Sequence, residues 1–252
     1  GDIHPLTWSA EEFFHADPNT HQWFEGPWFL KHSLGVKGNS VYVFGSIGSL
    51  RDRLEELGSK GRRSFLVQQG VAPPALRDGR KWVLRAHALL HGSHQGLSLF
   101  CHNSIILLQH GHAYTTEVAV RAAHISSAGH AKYWPAPELL QDEKLANEVR
   151  RLVSKVFGAV WPLAPQPPYG PIEAELCQVF GLDIACDANH KAWLLEVNSY
   201  PAIASGTMAH VDQAVYTALV RDVLHLVVLP RLEGREPVLG GFAKLNVEPH
   251  LP

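Results

Sequence analysis

Two apolar runs in the carboxyl-terminal half carry acidic and amide side chains, and this feature constrains the fold more than any other. The first run, Leu182 to Cys186, contains Asp183, and the second, Ala192 to Val197, contains Glu196. Their alternation and the intervening Asp-Ala-Asn-His turn predict two neighbouring strands. Acids inside apolar strands are costly to bury without partners. The segment therefore needs a group that compensates its carboxylates.

The positions of these polar residues place them on one face of the predicted strand pair. Glu196 and Asn198 are two residues apart and share a face, and a hairpin would bring Asp183 beside them. Carboxylate and amide oxygens are ligands that Mg²⁺ takes in nucleotide sites. The residues alone leave two interpretations open: a magnesium site, or buried acids that pair with an arginine or cap a backbone.

The composition is that of a folded soluble chain and points to no charged partner. Its 252 residues are 46% hydrophobic and 18% charged, and 22 basic residues stand against 24 acidic ones. This balance lacks the basic excess that nucleic-acid binding usually needs. No apolar run approaches the roughly 18 residues of a membrane span. Three scattered cysteines suggest a reducing compartment, with the cytosol as the default.

Histidine is unusually frequent, with sixteen residues, half of them in the middle of the chain. The crowded histidines are His87, His91, His94, His102, His110, His112, His124 and His130. They span several predicted strands and have no zinc-ligand spacing. We therefore expect solvated or hydrogen-bonded histidines here instead of a metal site.

The order of predicted elements indicates an α+β fold. A capped helix at Ser9, a strand hairpin, a helix and a further strand occupy the first part of the chain. An antiparallel meander follows. A long amphipathic helix is expected over 138–160, a shorter one over 172–180, and a third long one over 211–228, with an irregular tail from Arg231.

Basic residues close to glycine turns and apolar strands are candidates for phosphate binding. Lys31 ends a predicted strand before a glycine-containing turn that also carries Lys37. Lys81 and Arg85 are four residues apart on another apolar strand, so they share a face of it. A glycine pair alone is weak evidence, because turns use glycine without any ligand.

Several motifs resemble those of the tubulin–tyrosine ligase-like family, which has the ATP-grasp fold. The block from Phe180-Gly-Leu-Asp183 to Trp-Leu-Leu-Glu196-Val-Asn198 resembles the family's metal-binding signature. Trp28-Phe-Leu-Lys31 and Arg80-Lys-Trp-Val-Leu-Arg85 are similar to two of its phosphate-binding motifs. Further similar segments are Val67-Gln-Gln69 and His124-Ile-Ser-Ser127.

The resemblance implies a role for each matching residue. ATP would be held by the following residues: Lys31, Lys37, Gln68, Gln69, Val71, Lys81, Arg85 and Ser126. Within this set Gln68, Gln69 and Val71 would line the adenine hinge, and Arg85 would face the γ-phosphate. Asp183, Glu196 and Asn198 would bind Mg²⁺, and Arg85, Glu196 and Asn198 would act in catalysis.

The implied architecture is an α+β ATP-grasp fold in which two lobes, with mainly antiparallel sheets covered by helices, bind ATP between them. Residues 1–72 would form the central lobe with its lead-in, and 73–252 the carboxyl-terminal lobe. The resemblance runs from about His4 to about Leu229. Because the family's amino-terminal domain is absent from it, we expect a fragment or a short form.

The implied activity is an ATP- and Mg²⁺-dependent ligase. It would join a protein-tail carboxylate to a free amino acid through an acyl phosphate, as in tubulin tyrosination or polyglutamylation. The partners would be the tubulin C-terminal tail or another acidic protein tail, with no nucleic acid and no membrane. The implied location is the cytoplasm, including association with microtubules or cilia.

Two positions depart from the family pattern and keep other functions open. Val83 stands where the family motif has an acid, and Leu107 stands about where an active-site arginine is usual. A nucleotide-binding pseudoenzyme that acts as a microtubule- or protein-binding module is therefore one alternative. Another is an ATP-grasp ligase with an acceptor other than tubulin.

A basic run after the helix of the first lobe is a candidate for contacting an acidic tail. Its members are Arg51, Arg53, Lys60, Arg62 and Arg63. A solvated helix end explains the run equally well, because clustered basic residues are common there without any ligand.

Overall fold

A computed structural model of the chain describes residues 3–17, 26–33, 40–93, 96–126, 132–136, 141–160, 176–201, 203 and 212–247. The fold is α+β with antiparallel strand pairing, as the sequence predicts. The chain divides into two compact units. The first is Gly1–Trp82, Leu108–Lys132 and Cys186–Asn189, and the second is Val83–Leu107, Tyr133–Ala185 and His190–Pro252.

The first unit contains a four-stranded sheet in the order β1-β4-β2-β3, with two helices. Its elements are β1 (Thr7–Ser9), α1 (Ala10–His15), β2 (Trp28–His32), β3 (Val41–Phe44), α2 (Ile47–Arg62) and β4 (Phe65–Gln69). Helix α1 begins at a capping box, in which the Ser9 hydroxyl accepts from the Glu12 N–H and the Glu12 carboxylate accepts from the Ser9 N–H. Helix α2 is interrupted at Gly58, whose φ of +63° is left-handed.

The core of this sheet is aromatic. Trp28, Phe13 and Trp8 form a triangle of rings with centroids 5.5–6.1 Å apart. Leu50 and Leu54 of α2 are fully buried in the same cluster. Helix α2 and strand β2 each bury one apolar face in this cluster. Burial of this apolar surface is the main driving force for folding of this sheet and its helices.

A second sheet runs in the order β11-β10-β6-β7-β12, and its long central strand β6 also pairs with β5 and β8. The remaining strands are β5 (Leu76–Arg77), β6 (Arg80–Ser93), β7 (Gly96–His102), β8 (Ile106–Gln109), β9 (Lys132–Pro135), β10 (Leu176–Cys186), β11 (Ala192–Asn198) and β12 (Phe242–Leu245). Two helices, α3 (Arg121–His124) and α4 (Glu143–Val160), lie between β8 and β10 in the chain.

The carboxyl-terminal helical segment alternates between two hydrogen-bonding patterns. It consists of π-helical Asp212–Tyr216, α-helical Thr217–Val223, π-helical Leu224–Val228 and α-helical Leu229–Glu233. None of the helices in the described ranges is both long and apolar enough to cross a membrane.

Two sequence expectations about secondary structure are wrong. The helix expected up to Phe180 is a strand from Leu176 onward, because β10 pairs with β6 over ten positions; residues 172–175 lie outside the described part. The tail is also not wholly irregular, since Phe242–Leu245 pairs with β7. In both cases a distant strand supplies hydrogen bonds that local propensity does not reveal.

The first unit extends beyond the predicted lobe boundary after residue 72. It reaches Trp82 and includes the turn around 186–189. The Ala75 N–H donates to the Cys186 carbonyl, and the Ala188 N–H donates to the Pro73 carbonyl, both at 2.9 Å. These backbone bonds tie the segment after residue 72 to that turn.

Candidate functional site

Lys81, near the start of β6, is a buried cation. Only 8% of its surface is exposed, and burial lowers the pKa of its ammonium to about 8. Its Nζ lies 4.9 Å from the ring centroid of Tyr114. No carboxylate in the described residues pairs with it. A buried ammonium without a counter-ion is a strong attractor for an anion.

Two buried histidines surround Lys81. The His110 N–H donates to the Lys81 carbonyl at 2.9 Å, and His110 and His124 are 4% and 5% exposed. Burial, followed by the charge of Lys81, lowers the pKa of both imidazoles, that of His110 to about 4. The two ring nitrogens of His110 meet no partner at hydrogen-bond geometry among the described residues.

The structure brings together Lys31 and Gln68, two of the predicted nucleotide-binding residues. The Lys31 ammonium donates to Gln68 Oε1 at 2.6 Å, and Gln68 Nε2 donates to Thr7 Oγ1 at 3.0 Å. The pairing of β4 with both β1 and β2 causes this arrangement. The Gln68 side chain is thus bonded on both sides, and its backbone lies in an inner strand, paired with Thr7 of β1 and Phe29 of β2.

The segment after β4 includes the other predicted hinge residues. Gln69 ends the strand, and its N–H donates to the Leu6 carbonyl at 2.9 Å. At the next position, a Cβ would lie 2.7 Å from the Pro27 carbonyl oxygen, so only glycine fits at Gly70. Val71 follows and is half-buried.

The remaining predicted positions of the first unit differ in their surroundings. Ser126 follows α3 and is half-buried, whereas Lys37 lies outside the described residues. The two departures from the family pattern are both core residues, because Val83 is 7% and Leu107 1% exposed.

In the second unit, Arg85 and Asp183 form an ion pair. The register of β6 with β10 places them opposite each other. Arg85 Nε donates to Asp183 Oδ1, and Nη2 donates to Oδ2 at 2.9 Å. Of the two interpretations left open by the sequence, Asp183 thus shows the pairing of a buried acid with an arginine. A Cβ at Gly181 would lie 3.1 Å from Arg85 Cδ, so the glycine leaves room for this side chain.

The pKa values of the pair reflect a shortage of positive charge. Burial raises the pKa of Asp183 to about 6, and the nearby Glu196 carboxylate adds to the rise while Arg85 opposes it. For Arg85, burial acts to lower the pKa, but the hydrogen bond and charge of Asp183 raise it overall. One guanidinium therefore faces two carboxylates.

Asn198 lies next to these carboxylates, as predicted from the spacing. Its Nδ2 donates to Glu196 Oε1 at 3.2 Å and to the Gly181 carbonyl at 3.4 Å. Glu196 is exposed and Asn198 half-buried. With its amide nitrogen bound, the amide oxygen has no partner within the described ranges.

The oxygen atoms of Asp183, Glu196 and Asn198 are suitable ligands for a divalent cation. Two carboxylates and an amide oxygen are hard oxygen ligands, and their excess negative charge favours a metal with water and phosphate ligands. The described residues contain no cluster of three or more His, Cys, Asp or Glu side chains arranged for a metal. The predicted magnesium ligands include two carboxylates and one amide, and such a set is not a cluster of three His, Cys, Asp or Glu side chains.

Sequence reasoning missed Tyr216 and His87, which surround Arg85. Tyr216 comes from the first π-helical turn, is 5% exposed, and raises the pKa of Arg85 electrostatically. Its ring lies 5.8 Å from that of His87, edge to face. A π-helical turn is often found at functional sites, but nothing in the sequence pattern predicts one here.

The predicted basic surface of α2 is largely used within the fold. Arg62 is buried against Glu11 at 2.7 Å, and Arg53 pairs with Glu56 at 2.8 Å. Arg51 Nη2 donates to the Ala16 carbonyl at 2.5 Å. These arginines stabilise the fold, which favours the interpretation without a ligand for most of the run.

Comparison with known proteins decides the family. The model of the tubulin-tyrosine ligase family matches residues 3–148 and 130–236. The chain belongs to this family.

Individual relatives are distant. A probable tubulin polyglutamylase of Caenorhabditis elegans is 23% identical over 239 residues, which is 85% of this chain and 55% of the relative. A human probable tubulin polyglutamylase is 28% identical over 210 residues, 73% of this chain and 34% of the relative. A probable tubulin–tyrosine ligase of Schizosaccharomyces pombe is 24% identical over 177 residues, 64% of this chain and 42% of the relative. The chain thus spans about half, or less, of their length.

Proposed function

We propose that this member of the tubulin-tyrosine ligase family is an ATP- and Mg²⁺-dependent ligase that joins a protein-tail carboxylate to a free amino acid. The observation that carries the proposal is Lys81, a buried ammonium with no acidic partner in the described residues. A phosphate would supply the missing negative charge. The names of the relatives favour the tubulin C-terminal tail as the acceptor.

The residues of the first unit would bind and orient the nucleotide. Lys81 and Lys31 supply positive charge for its phosphates, and Lys37 lies in the turn after Lys31. Gln68, Gln69 and Val71 would line the adenine hinge, and the Ser126 hydroxyl would be a further hydrogen-bonding group. The Lys31–Gln68 hydrogen bond supports this assignment, because it holds the lysine in place before a ligand binds.

The residues of the second unit would serve the metal and the transferred phosphoryl group. Asp183, Glu196 and Asn198 would hold Mg²⁺, which when bound neutralises phosphate charge and polarises the phosphoryl oxygens. Arg85 holds the Asp183 carboxylate in one orientation through two hydrogen bonds. Its remaining N–H groups are donors for the charge that develops on the γ-phosphoryl group.

The proposed chemistry needs no covalent bond to the protein. The acceptor carboxylate attacks the γ-phosphorus and the bond to the β-phosphate oxygen breaks, giving ADP and an acyl phosphate. The amine of the amino acid then attacks the acyl carbon, phosphate leaves, and the amine proton is lost to a base. The product is an amide bond. We place this reaction in the cytoplasm, at microtubules or cilia.

A nucleotide-binding pseudoenzyme that acts as a microtubule- or protein-binding module is the second candidate. Val83 and Leu107 favour it, because both are buried apolar side chains where the resemblance implies an acid and an arginine. Losing one transition-state contact of this kind costs about 10²–10³ in rate. A ligase with an acceptor other than tubulin keeps the same site chemistry and differs only in substrate.

Calorimetric ATP titration with and without Mg²⁺ tests the proposed site. We expect Lys81→Met to weaken ATP binding about 10–100-fold, because a charge-assisted contact is lost. The Glu196→Gln, Asn198→Ala double variant should abolish the Mg²⁺ dependence. Lys60→Met is the matched control, since Lys60 is exposed and is not among the proposed site residues. Equal affinity of the wild type and Lys81→Met would overturn the proposal.

A product assay separates the ligase from the pseudoenzyme. The protein is incubated with Mg²⁺, ATP, tubulin-tail peptides and labelled glutamate, glycine or tyrosine. A peptide heavier by one amino acid residue, formed only with ATP, establishes the ligase. ATP binding with no product from any acceptor, including full-length tubulin, would favour the second candidate.

A further inference from the structure

The residues around Lys81 include one group that the proposed function does not use. His110 is 4% exposed, and within the described part of the chain neither its Nδ1 nor its Nε2 makes a hydrogen bond. Buried polar groups are nearly always hydrogen-bonded, so a ring with two unpartnered nitrogens needs an explanation. The Ala123 backbone acts to raise the pKa of His110, against the larger effects of burial and Lys81, but does not meet hydrogen-bond geometry.

His124, the neighbouring imidazole, differs from His110. Its Nε2 lies 3.0 Å from the Glu117 carbonyl oxygen, so Nε2 carries the hydrogen and donates it. In the neutral ring Nδ1 is then an acceptor, which suits no anion. His110 has no such constraint, and either of its nitrogens can carry a hydrogen toward a ligand.

The groups that face His110 are cationic or neutral. Lys81 and Arg80 come from β6, and the Arg80 guanidinium donates to the His110 carbonyl oxygen at 3.4 Å. His124 comes from α3. Tyr114 contacts both Lys81, at 4.9 Å from ring centroid to Nζ, and His124, with rings 6.4 Å apart. The Glu117 backbone carbonyl also reaches His124, and no carboxylate contributes to the pKa shifts of Lys81, His110 or His124. The described residues therefore leave the ammonium and the imidazole without an anionic partner.

One ligand oxygen can satisfy both groups. A phosphate presents several acceptor oxygens, so it can accept from the Lys81 ammonium and from a His110 N–H at once. We propose that His110 is a ligand of the phosphate that Lys81 binds, and that its imidazole takes up a proton when the phosphate binds. This inference rests on the proposed nucleotide site and adds a residue and a proton to it.

The proton follows from the change in charge around the ring. Before binding, burial and the Lys81 charge keep the His110 pKa at about 4, so the ring is neutral at pH 6. A bound phosphate places negative charge beside the ring, and an adjacent opposite charge raises a histidine pKa by about 1–3 units. Lys81 itself, with a pKa of about 8, is already protonated at pH 6. Proton uptake at this pH therefore reports the imidazole.

The test is calorimetry of Mg²⁺·ATP binding at pH 6.0 in two buffers of different ionisation enthalpy, MES and cacodylate. The difference in observed enthalpy gives the number of protons taken up. We expect the wild type to take up close to one proton more than His110→Gln, which can donate a hydrogen bond but cannot be protonated. His112→Gln is the matched control, because His112 is exposed and only two residues away.

A second measurement uses the wild type alone. Labelled-histidine NMR follows the titration of His110, assigned from the signal missing in His110→Gln, with and without Mg²⁺·ATP. We expect its pKa to rise by about three units on binding. The affinity of the wild type for ATP should also fall by up to about tenfold per pH unit as the pH rises from the free pKa, about 4, to the shifted pKa, and should level off above it. Adenosine and inorganic triphosphate separate the two parts of the ligand, and only triphosphate should produce the shift.

The outcomes distinguish this inference from the function on which it rests. ATP binding with equal proton uptake in the wild type and His110→Gln, and an unshifted His110 signal, would overturn the inference and leave the nucleotide site intact. Uptake that persists in His110→Gln and disappears in His124→Gln would also overturn it, by assigning the proton to His124. If the wild type binds no ATP and no triphosphate, both the site and the inference are wrong.

Discussion

Lys81 and Arg85 are four residues apart on β6, and they show two ways in which a protein can bury a positive charge. Arg85 is paired with Asp183 through two hydrogen bonds. Lys81 has no acidic partner in the described residues, and its pKa is lowered to about 8 by burial. A paired charge holds a neighbour in position, whereas an unpaired one reduces stability until a ligand arrives. The contrast therefore assigns positioning to Arg85 and anion binding to Lys81.

Removing the paired cation should have the largest effect. Arg85→Met leaves Asp183 buried beside Glu196, and breaking a buried ion pair in this way costs about 3–5 kcal/mol of unfolding free energy. The loss should shrink as the pH falls from 7 to 5, since Asp183, whose pKa is already raised to about 6, can be protonated. Urea unfolding measures both values, with Arg63→Met as an exposed control. A loss below that of the control would show that the pair is not structural.

Removing the unpaired cation should act in the opposite direction. We expect Lys81→Met to raise the unfolding free energy at pH 7 by up to about 3 kcal/mol, since a pKa near 8 replaces the ordinary 10.5. The Lys81 ammonium holds its proton more tightly in the unfolded state than in the folded state. The destabilisation caused by Lys81 is therefore complete below pH 8 and disappears as the pH rises toward 10.5. Urea unfolding at pH 7 and pH 10 checks the sign. A destabilised Lys81→Met at pH 7 would contradict the comparison.

A buried neutral histidine beside Arg85 should make the protein sensitive to acid. Burial lowers the pKa of His87 to about 4, so the unfolded chain takes up its proton first as the pH falls below 6.5. Between pH 7 and pH 5 this single residue should remove about 2 kcal/mol of stability. In His87→Leu, the stability difference between the two pH values should be smaller by that amount in urea unfolding. An unchanged difference would mean that His87 is accessible to solvent protons in the folded state.

Removing an arginine from an exposed ion pair should have the smallest effect on the unfolding free energy. Arg53 and Glu56 are one turn apart on α2 and lie 2.8 Å from each other, with both side chains more than a third exposed. We expect Arg53→Ala to change the unfolding free energy by less than about 0.5 kcal/mol, because water screens such pairs. The same urea measurement applies. A loss comparable with that of Arg85→Met would show that pairing matters here independently of burial.

Local patterns predicted much of the secondary structure and the polar face of the second sheet. The capping box at Ser9 begins α1, and the alternation around Asp183, Glu196 and Asn198 corresponds to β10 and β11. Local patterns were misleading at 176–180, where pairing with β6 prevails, and at 242–245, where pairing with β7 prevails. Strand pairing joins residues distant in sequence, so a window of sequence does not contain its energy.

The sequence by itself determined which side chains could do chemistry: the lysines near glycine turns, the acids within apolar runs and the abundance of histidine. Only the tertiary structure decided which of them are buried and which have a partner. It paired Asp183 with Arg85, bonded Lys31 to Gln68, and left Lys81 and His110 side by side without an acid in the described residues. The reason is physical, because the pKa and the energy of a charged group depend on desolvation and on neighbours that the fold brings from distant parts of the chain.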